Sequence, residues 1–533
     1  MERIRLLFSN ETNYEKWCHK KITSISYGDL NVKEFSNFLE KINPEFDSNI
    51  LLKPCIDISD ATYRLDIMEE ILENNDLFLN FKTFISTLKD LMRELTVYSD
   101  EVVEVQKKYR YINLLSSYFK TITTLEDITK NLYSSGLKKL YSYATNIIRK
   151  EQNFNIQSIS KNILSKLKEI LNNNLLEIDN VNKLFIIKKG IKQKSETEIL
   201  KNKILEVFDV DINNYFSIVD PAPLSNMEEK ILNEMIKDNK EVFENIEELY
   251  NNSIYLLDDI KYISVLYEEL VFYITYIEFL NLVNTYNISY CKPEFSNKYI
   301  AKDSISPSLI TAFIENNKNP FEIITNDIEL PKNNMFILSG PNQGGKSIYL
   351  KTVGINAYLS KCGCFVFSKC QQNPFYDEIY THFIQEEVIG KGKLIEEVER
   401  IEDILLRINE NSLVLLNESF TSTRRKDGVK IAIHYINEIL KKGTSIGFVT
   451  HYYEIANLYF DSSKIISLSA MIGNDGKRNY KIIKNMGNTS SYAKDIAKKC
   501  NMTYEDLIES FLGEDNEKSW FNFKINKYKY SIH

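Results

Sequence analysis

The sequence predicts an α plus α/β protein: an all-helical core and lever region over residues 1–300, a doubly wound, mainly parallel sheet over residues 301–512, and a tail over residues 513–533. Three observations carry this. Up to about residue 300 apolar side chains recur at helical spacing. After Pro293 short apolar runs alternate with helical patterns. The first of those runs, Met335 to Ser339, leads straight into Gly340-Pro341-Asn342-Gln343-Gly344-Gly345-Lys346-Ser347, which fits G-x-x-x-x-G-K-[ST] at every fixed position.

The helical region comes first in the chain. Leu65, Met68, Ile71 and Leu72 fall on one helical face, with Asp66, Glu69, Glu70 and Glu73 on the other. The pattern returns in 111–125, in 159–175 and in a long segment from about Met227 to Val283. An excursion interrupts it at 178–195, where Leu184-Phe185-Ile186-Ile187 precedes Lys188-Lys189-Gly190-Ile191-Lys192-Gln193-Lys194. This reads as a strand and turn leaving a helical arm. Its four lysines either touch phosphates or form a solvated turn, the commoner case.

In the second region the runs Met335 to Ser339, Leu413 to Leu416, Ile446 to Thr450 and Ile465 to Leu468 read as strands of a parallel sheet. Asn474-Asp475-Gly476 predicts a hairpin turn between Ile465–Ile472 and Tyr480–Ile483, and so an antiparallel edge.

The 533 residues are 43% hydrophobic and 26% charged, with only 17 Gly and 10 Pro, which suits a folded, largely helical chain of two or three domains. The net charge of −8 excludes a global basic field, so any nucleic-acid contact has to come from a local patch or an enclosing shape. Seven cysteines without a framework fit a reducing, cytoplasmic setting. Cys362, Cys364 and Cys370 cluster, but no second pair or nearby His completes a zinc set, so they read as small buried residues. The most apolar run, Tyr262 to Val283, contains Glu268, Glu269 and Glu278 and is not a membrane span.

Each residue type in the loop answers a chemical need. Glycines at 340, 344 and 345 allow successive backbone N–H groups to face phosphate oxygens, Lys346 brings positive charge, and the Ser347 hydroxyl suits Mg²⁺. Leu350, Val353 and Ala357 start a helix whose N-terminus lies under the phosphates. The strand Leu413–Leu416 ends in Asn417-Glu418. Phosphate-loop NTPases usually carry there an Asp that holds Mg²⁺ through water, often beside a Glu that orients the attacking water. Asn417 offers only a carbonyl oxygen, so weaker Mg²⁺ binding and slower turnover are expected, with Glu418 as the base. The next strand ends in Thr450-His451. Spacing alone leaves open whether His451 senses a γ-phosphate or is structural. Asp427-Gly428 reads equally as part of the site and as a helix start.

Taken together, Gly340 to Ser347, Leu413 to Glu418, Asp427-Gly428 and Val449-Thr450-His451-Tyr452-Tyr453-Glu454 resemble the ATPase domain of the MutS family of DNA mismatch-repair proteins. The GPNxGGKS and THYxE forms are specific to that family. Tyr290-Cys291-Lys292-Pro293-Glu294-Phe295, Ser491 to Ala497 and Asp57 to Leu95 resemble further family segments. The resemblance implies a P-loop NTPase that binds ATP with Mg²⁺, dimerises through its ATPase domains and holds DNA with helical levers. It implies that Asn342 positions the γ-phosphate and water, that Glu418 activates the water, that His451 acts as a switch and that Phe321 stacks on adenine. Gly390-Lys391-Gly392-Lys393 then falls in a signature loop that reaches the partner subunit's ATP, where a Ser hydroxyl is expected, followed by Glu397. No segment corresponding to the mismatch-reading and connector domains is expected before the helical core, the excursion is short for a clamp, and no nuclease domain is expected after the ATPase domain. The expected function is an ATP-driven switch acting on structured DNA rather than on simple mismatches. The alternatives are an ATPase acting on RNA or ribosomes, or a non-hydrolysing ATP-binding adaptor.

Overall fold

The computed structural model describes residues 4–20, 28–100, 104–179, 184–189, 239–341, 343–383, 392–459, 465–472 and 478–484. The chain groups into two compact units: Met1–Glu294 with Pro307–Glu322 and Ile355–Gln371, and Phe295–Ser306 with Ile323–Gly354 and Gln372–His533.

The first unit is helical. Its elements are α1 (Glu11–His19), α2 (Val32–Ile42), α3 (Asn49–Leu52), α4 (Ile58–Glu73), α5 (Asn75–Asp100), α6 (Glu104–Thr129), α7 (Ser135–Arg149), α8 (Glu151–Asn173), β1 (Asn174–Asp179), β2 (Leu184–Lys189), α9 (Lys240–Ser253), α10 (Leu256–Thr285) and, after the passage into the second unit, α11 (Pro307–Glu315). The starts of α1 and α4 follow local chemistry, since the Asn10 and Asp57 side chains accept the Asn13 and Ser59 amides. In α10 every residue from Glu269 to Ile277 is buried, the mark of a central helix rather than an amphipathic one. The expected continuous pattern from Met227 resolves, within the described residues, into α9 and α10 with a break at Ile254-Tyr255. The excursion is a β1–β2 antiparallel pair following α8, with Lys188 and Lys189 in the strand rather than in a turn; the rest of its basic run lies outside the described residues.

Charged residues inside this unit depart from the expected polar face. Glu70 is buried, and its carboxylate accepts the Tyr133 and Ser134 amides at 2.5 and 2.7 Å, satisfying donors at the start of α7. Arg64 is fully buried and donates to the Leu7 and Cys362 carbonyls. Cys362 and Cys364 are buried as expected, whereas Cys370 is exposed. Among the described residues no helix is long and apolar enough to cross a membrane. Glu278 pairs with Lys82.

Glu269 is the buried carboxyl whose charge state matters most. It accepts the Leu6 amide at 2.6 Å and lies 3.7 Å from the Arg5 guanidinium. Burial outweighs both, together with Arg64, and pushes it up to about 7, with Glu268 adding to the rise. A carboxyl that holds its proton more tightly folded than unfolded contributes stability that is full below about 4.3, its unfolded value, and is lost as pH rises through about 7. Wild-type protein should therefore lose more thermal stability than Glu269→Gln between about pH 5 and about pH 8. Melting curves of the two proteins that shift identically across that range would refute this.

The second unit is built on a six-stranded sheet of order β12-β11-β6-β10-β9-β8, with β6 (Met335–Ser339), β8 (Ile379–Phe383), β9 (Leu413–Asn417), β10 (Ser445–Val449), β11 (Ile465–Ile472) and β12 (Arg478–Lys484). β8, β9, β10, β6 and β11 pair in parallel, and β12 runs antiparallel at the edge; the turn at Asn474 to Gly476 lies outside the described residues. Helices α12 (Lys346–Lys361), α13 (Lys393–Arg407), α14 (Arg425–Lys441) and α15 (Tyr453–Leu458) connect the strands. Met335, Ile337, Val414, Leu416, Ile446 and Phe448 share a core with side chains of α13, α14 and α15. On the alternate positions Phe336 meets Tyr349 of α12 edge-on at 5.7 Å. A Cβ at Gly447 would lie 2.6 Å from the Phe336 ring and 2.9 Å from Leu350, so glycine there lets α12 lie close on the sheet.

A second sheet, β3-β7-β4-β5, is made of β3 (Glu294–Phe295), β4 (Lys298–Ser304), β5 (Asn326–Pro331) and β7 (Cys370–Asn373). It carries few apolar runs, and the sequence pattern does not predict it. Its strands hold the first half of α12: Tyr299 donates to the Val353 carbonyl and Tyr349 to the Asp327 carbonyl, each at 3.0 Å.

Candidate nucleotide-binding site

The phosphate-loop sequence links the C-terminal end of β6 to the N-terminus of α12. Gly340 and Gly345 have φ of +134° and +87°, and Gln343 adopts +60°. The Gly344 amide closes a turn on the Pro341 carbonyl at 3.2 Å. A Cβ at Gly340 or at Gly344 would lie 3.1 Å from the Ala470 methyl of β11, so the loop needs a small neighbour as well as its glycines. Lys346 is only 4% exposed and donates to the Gly340 and Pro341 carbonyls at 3.0 and 2.9 Å, with Glu418 Oε1 3.8 Å away. Burial lowers the Lys346 pKa, and Glu418 opposes it. Ser347 Oγ donates to Asn417 Oδ1 at 3.0 Å.

Beyond β9 the chain takes an unusual path. Glu418 and Phe420 both have left-handed φ, +53° and +64°, a conformation that costs a non-glycine residue about 1 kcal/mol or more. Neighbours over-determine the turn. The Glu418 amide donates to the Val449 carbonyl of β10 at 2.8 Å, and Tyr452 Oη donates to the Phe420 carbonyl at 2.9 Å. Gly428 comes so close that a Cβ there would sit 2.5 Å from the Phe420 oxygen. Asp427-Gly428 is thus both a helix start, in the first turn of α14, and a packing partner of the Glu418 turn.

Lys346, Ser347, Asn417 and Glu418 are therefore brought together. The Thr450 amide donates to the Leu338 carbonyl, and His451 comes next, half-buried, with its ring 4.8 Å from that of Tyr452. Gly392 is the exposed N-cap of α13 and Lys393 its first residue; Gly390 and Lys391 lie outside the described residues, as does Asn342. Phe321 belongs to the first unit, in a 3₁₀ turn over Pro320–Glu322, and is 66% exposed.

Sequence reading missed two residues. Tyr480 of β12, at φ +55° and half exposed, lies against Gly345, where a Cβ would meet its ring at 3.5 Å. His382 of β8 is buried and reaches Ser419 Oγ at 2.7 Å. Neither sits in a motif; the β-strand pairing that brings them near is the only signal.

Residues 336–509 match the family model MutS domain V. The DNA mismatch repair protein MutS of Clostridium kluyveri is 25% identical over 464 residues, covering 79% of this chain and 52% of that protein. The protein of the same description from Thermotoga petrophila is 28% identical over 257 residues, 46% of this chain and 31% of that protein. The one from Fervidobacterium nodosum is 33% identical over 187 residues, 34% and 22% of the respective chains. The chain thus spans between about a fifth and about a half of these curated relatives. With the domain V match over the sheet and the site, and a relative aligned over 79% of the chain, the chain is similar to the MutS family of proteins.

Proposed function

We propose that this chain is an ATPase that binds ATP with Mg²⁺ and uses it as a conformational switch on DNA, in repair or recombination. It acts as a homodimer through its ATPase units, in the cytoplasm, on structured DNA rather than on simple mismatches. The observation that carries this reading is the buried Lys346 ammonium, held among the described residues by loop carbonyls and a carboxylate 3.8 Å away, beside the Ser347–Asn417 oxygen pair. The relatives described as DNA mismatch repair proteins support DNA as the partner. A net charge of −8 favours recognition by shape over a broad basic field.

The residues fit the ligands proposed. An ammonium whose charge is disfavoured by burial gains from anionic oxygens, so Gly340 to Ser347, with Asn342 on the γ-phosphate side, would hold the phosphates. Ser347 Oγ and Asn417 Oδ1 are hard oxygen donors 3.0 Å apart and suit Mg²⁺, which when bound would neutralise charge on the phosphates. Phe321 and Tyr480 are exposed aromatic candidates for the base. Glu418 takes a proton from the attacking water at its carboxylate, Asn342 orients that water, and His451 relays the state of the site. The domains proposed are a helical core and lever over 1–300, the ATPase over 301–512 and a tail over 513–533.

Asn417 lacks the charge of an aspartate, so turnover is slow. It also favours one second reading, a non-hydrolysing ATP-binding adaptor. The test is ATP hydrolysis by the full chain with duplex, mismatched, branched and single-stranded DNA and with RNA, at two salt concentrations. Stimulation by a branched DNA that weakens with salt is expected. Lys346→Ala should weaken ATP binding on the order of 10- to 100-fold, and Asn417→Asp should raise kcat about tenfold. ATP binding without phosphate release above the Lys346→Ala background would establish the adaptor, and stimulation by RNA alone would overturn the DNA reading.

Lys393, the first residue of α13, or Lys391 supplies charge across the dimer to the partner's γ-phosphate. Lys393→Ala should lower kcat about tenfold with ATP affinity unchanged, and wild-type turnover per chain should rise with protein concentration. Unchanged turnover in Lys393→Ala and in Lys391→Ala would remove the trans contribution.

A further inference from the structure

We infer that His382 is a positioning residue for Glu418, acting through Ser419 on the left-handed turn that aims the carboxylate; the inference rests on the hydrolytic reading above. His382 stands on β8, at the sheet edge, and is 1% exposed. Its two ring nitrogens have different neighbours: Nδ1 is 2.7 Å from Ser419 Oγ, and Nε2 is 3.0 Å from the Glu397 carbonyl oxygen of α13. A carbonyl only accepts, so Nε2 carries the proton. Burial, with Arg400 adding to it, pushes the ring down to about 4, so it is neutral at pH 7 and Nδ1 is an acceptor. The Ser419 hydroxyl therefore donates to Nδ1, with the His382 carbonyl a more distant acceptor at 3.3 Å.

The consequence is a directional chain, from Ser419 O–H to Nδ1 and from Nε2–H to the Glu397 carbonyl, fixed at one end to α13 and at the other to the residue after Glu418. The ring also stacks on Phe420 at 5.7 Å, and Phe420 stacks on Tyr435 at 5.5 Å. His382 thus grips both residues that come after Glu418, one by hydrogen bond and one by stacking. Glu418 and Phe420 are held at positive φ, so a turn released from this grip relaxes toward ordinary backbone and moves the carboxylate. Glu397 closes the same side: it is buried, burial raises its carboxyl, and the Phe420 amide and Ser422 hydroxyl oppose the rise. None of these groups needs to touch nucleotide for the effect. A displacement on the order of 1 Å is enough to cost a positioned base about 10²-fold in rate.

The test uses full-length protein in single-turnover ATP hydrolysis, with nucleotide affinity and melting temperature measured on each variant. His382→Ala is expected to lower kcat by about tenfold or more while ATP affinity stays within about twofold. His382→Gln, whose amide can donate to the Glu397 carbonyl and accept from Ser419, should restore most of the rate, and Ser419→Ala should reproduce the loss of His382→Ala. In a Glu418→Gln background His382→Ala should change nothing further. Unchanged kcat in His382→Ala overturns the inference, as do a loss that Gln does not restore and a loss that persists in the Glu418→Gln background. If His382→Ala fails to fold, Ser419→Ala decides, since it removes only one hydroxyl. Wild-type protein that releases no phosphate overturns the hydrolytic reading together with this inference. Wild-type turnover that is abolished by Glu418→Gln but retained in His382→Ala and Ser419→Ala overturns this inference alone.

Discussion

A parallel sheet delivers the C-terminal ends of its strands to a single edge, and the second unit depends on that constraint. β6, β9 and β10 end there in the phosphate loop, in Asn417-Glu418 and in Thr450-His451, three segments separated by about seventy and about thirty residues of chain. β8 ends at the same edge with His382 and Phe383. No side chain at this edge has to reach far. The Glu418 and Thr450 amides go to carbonyls of neighbouring strands, so the backbone ladder extends one residue past the strands and fixes the direction in which each chain leaves the sheet. The geometry of the site is inherited from strand register, with the glycines at 340, 345 and 447 admitting the backbone and helix positions that register demands.

The strands that form the centre of this sheet were legible in the sequence because burial on both faces requires uninterrupted apolar runs, and Met335–Ser339, Leu413–Leu416 and Ile446–Val449 provide them. β8 reads Ile-Tyr-Thr-His-Phe and has no such run, since its position at the sheet edge permits His382 to be satisfied by hydrogen bonds. The β3-β7-β4-β5 sheet escaped for the same reason: Lys298 to Ser304 alternates buried and exposed positions over a short span containing Lys302 and Asp303. Lys346 and Ser347 could be picked out as candidates from sequence because the loop pattern fixes residue types at fixed spacing, and Asn417 and Glu418 because they follow an apolar strand. Tyr480 and His382 could not, because their nearness to the loop and to Ser419 comes from pairing between distant strands.

The helical unit shows the complementary failure. Period 3.6 located α4, α6 and α10, but it sorts residues by polarity and so sent Glu70 to the solvent face. Helix ends supply a reason for the opposite outcome, because unpaired amides at the start of one helix are matched by a carboxylate from the side of another. Arg64 obeys the same logic with carbonyls. A charged residue in a helical pattern is thus ambiguous until the ends of neighbouring helices are placed, which no local window contains.

The Ser347–Asn417 contact has a further consequence for charge balance. Where an aspartate would add a second negative charge, the end of β9 contributes a neutral amide, and the meeting of loop and strand holds one ammonium, Lys346, against one carboxylate, Glu418. Such a pair is balanced without a cation. On the reading proposed above, the attraction for a divalent ion would come mainly from the anion held in the loop, so metal and phosphate would bind as a single complex rather than in succession.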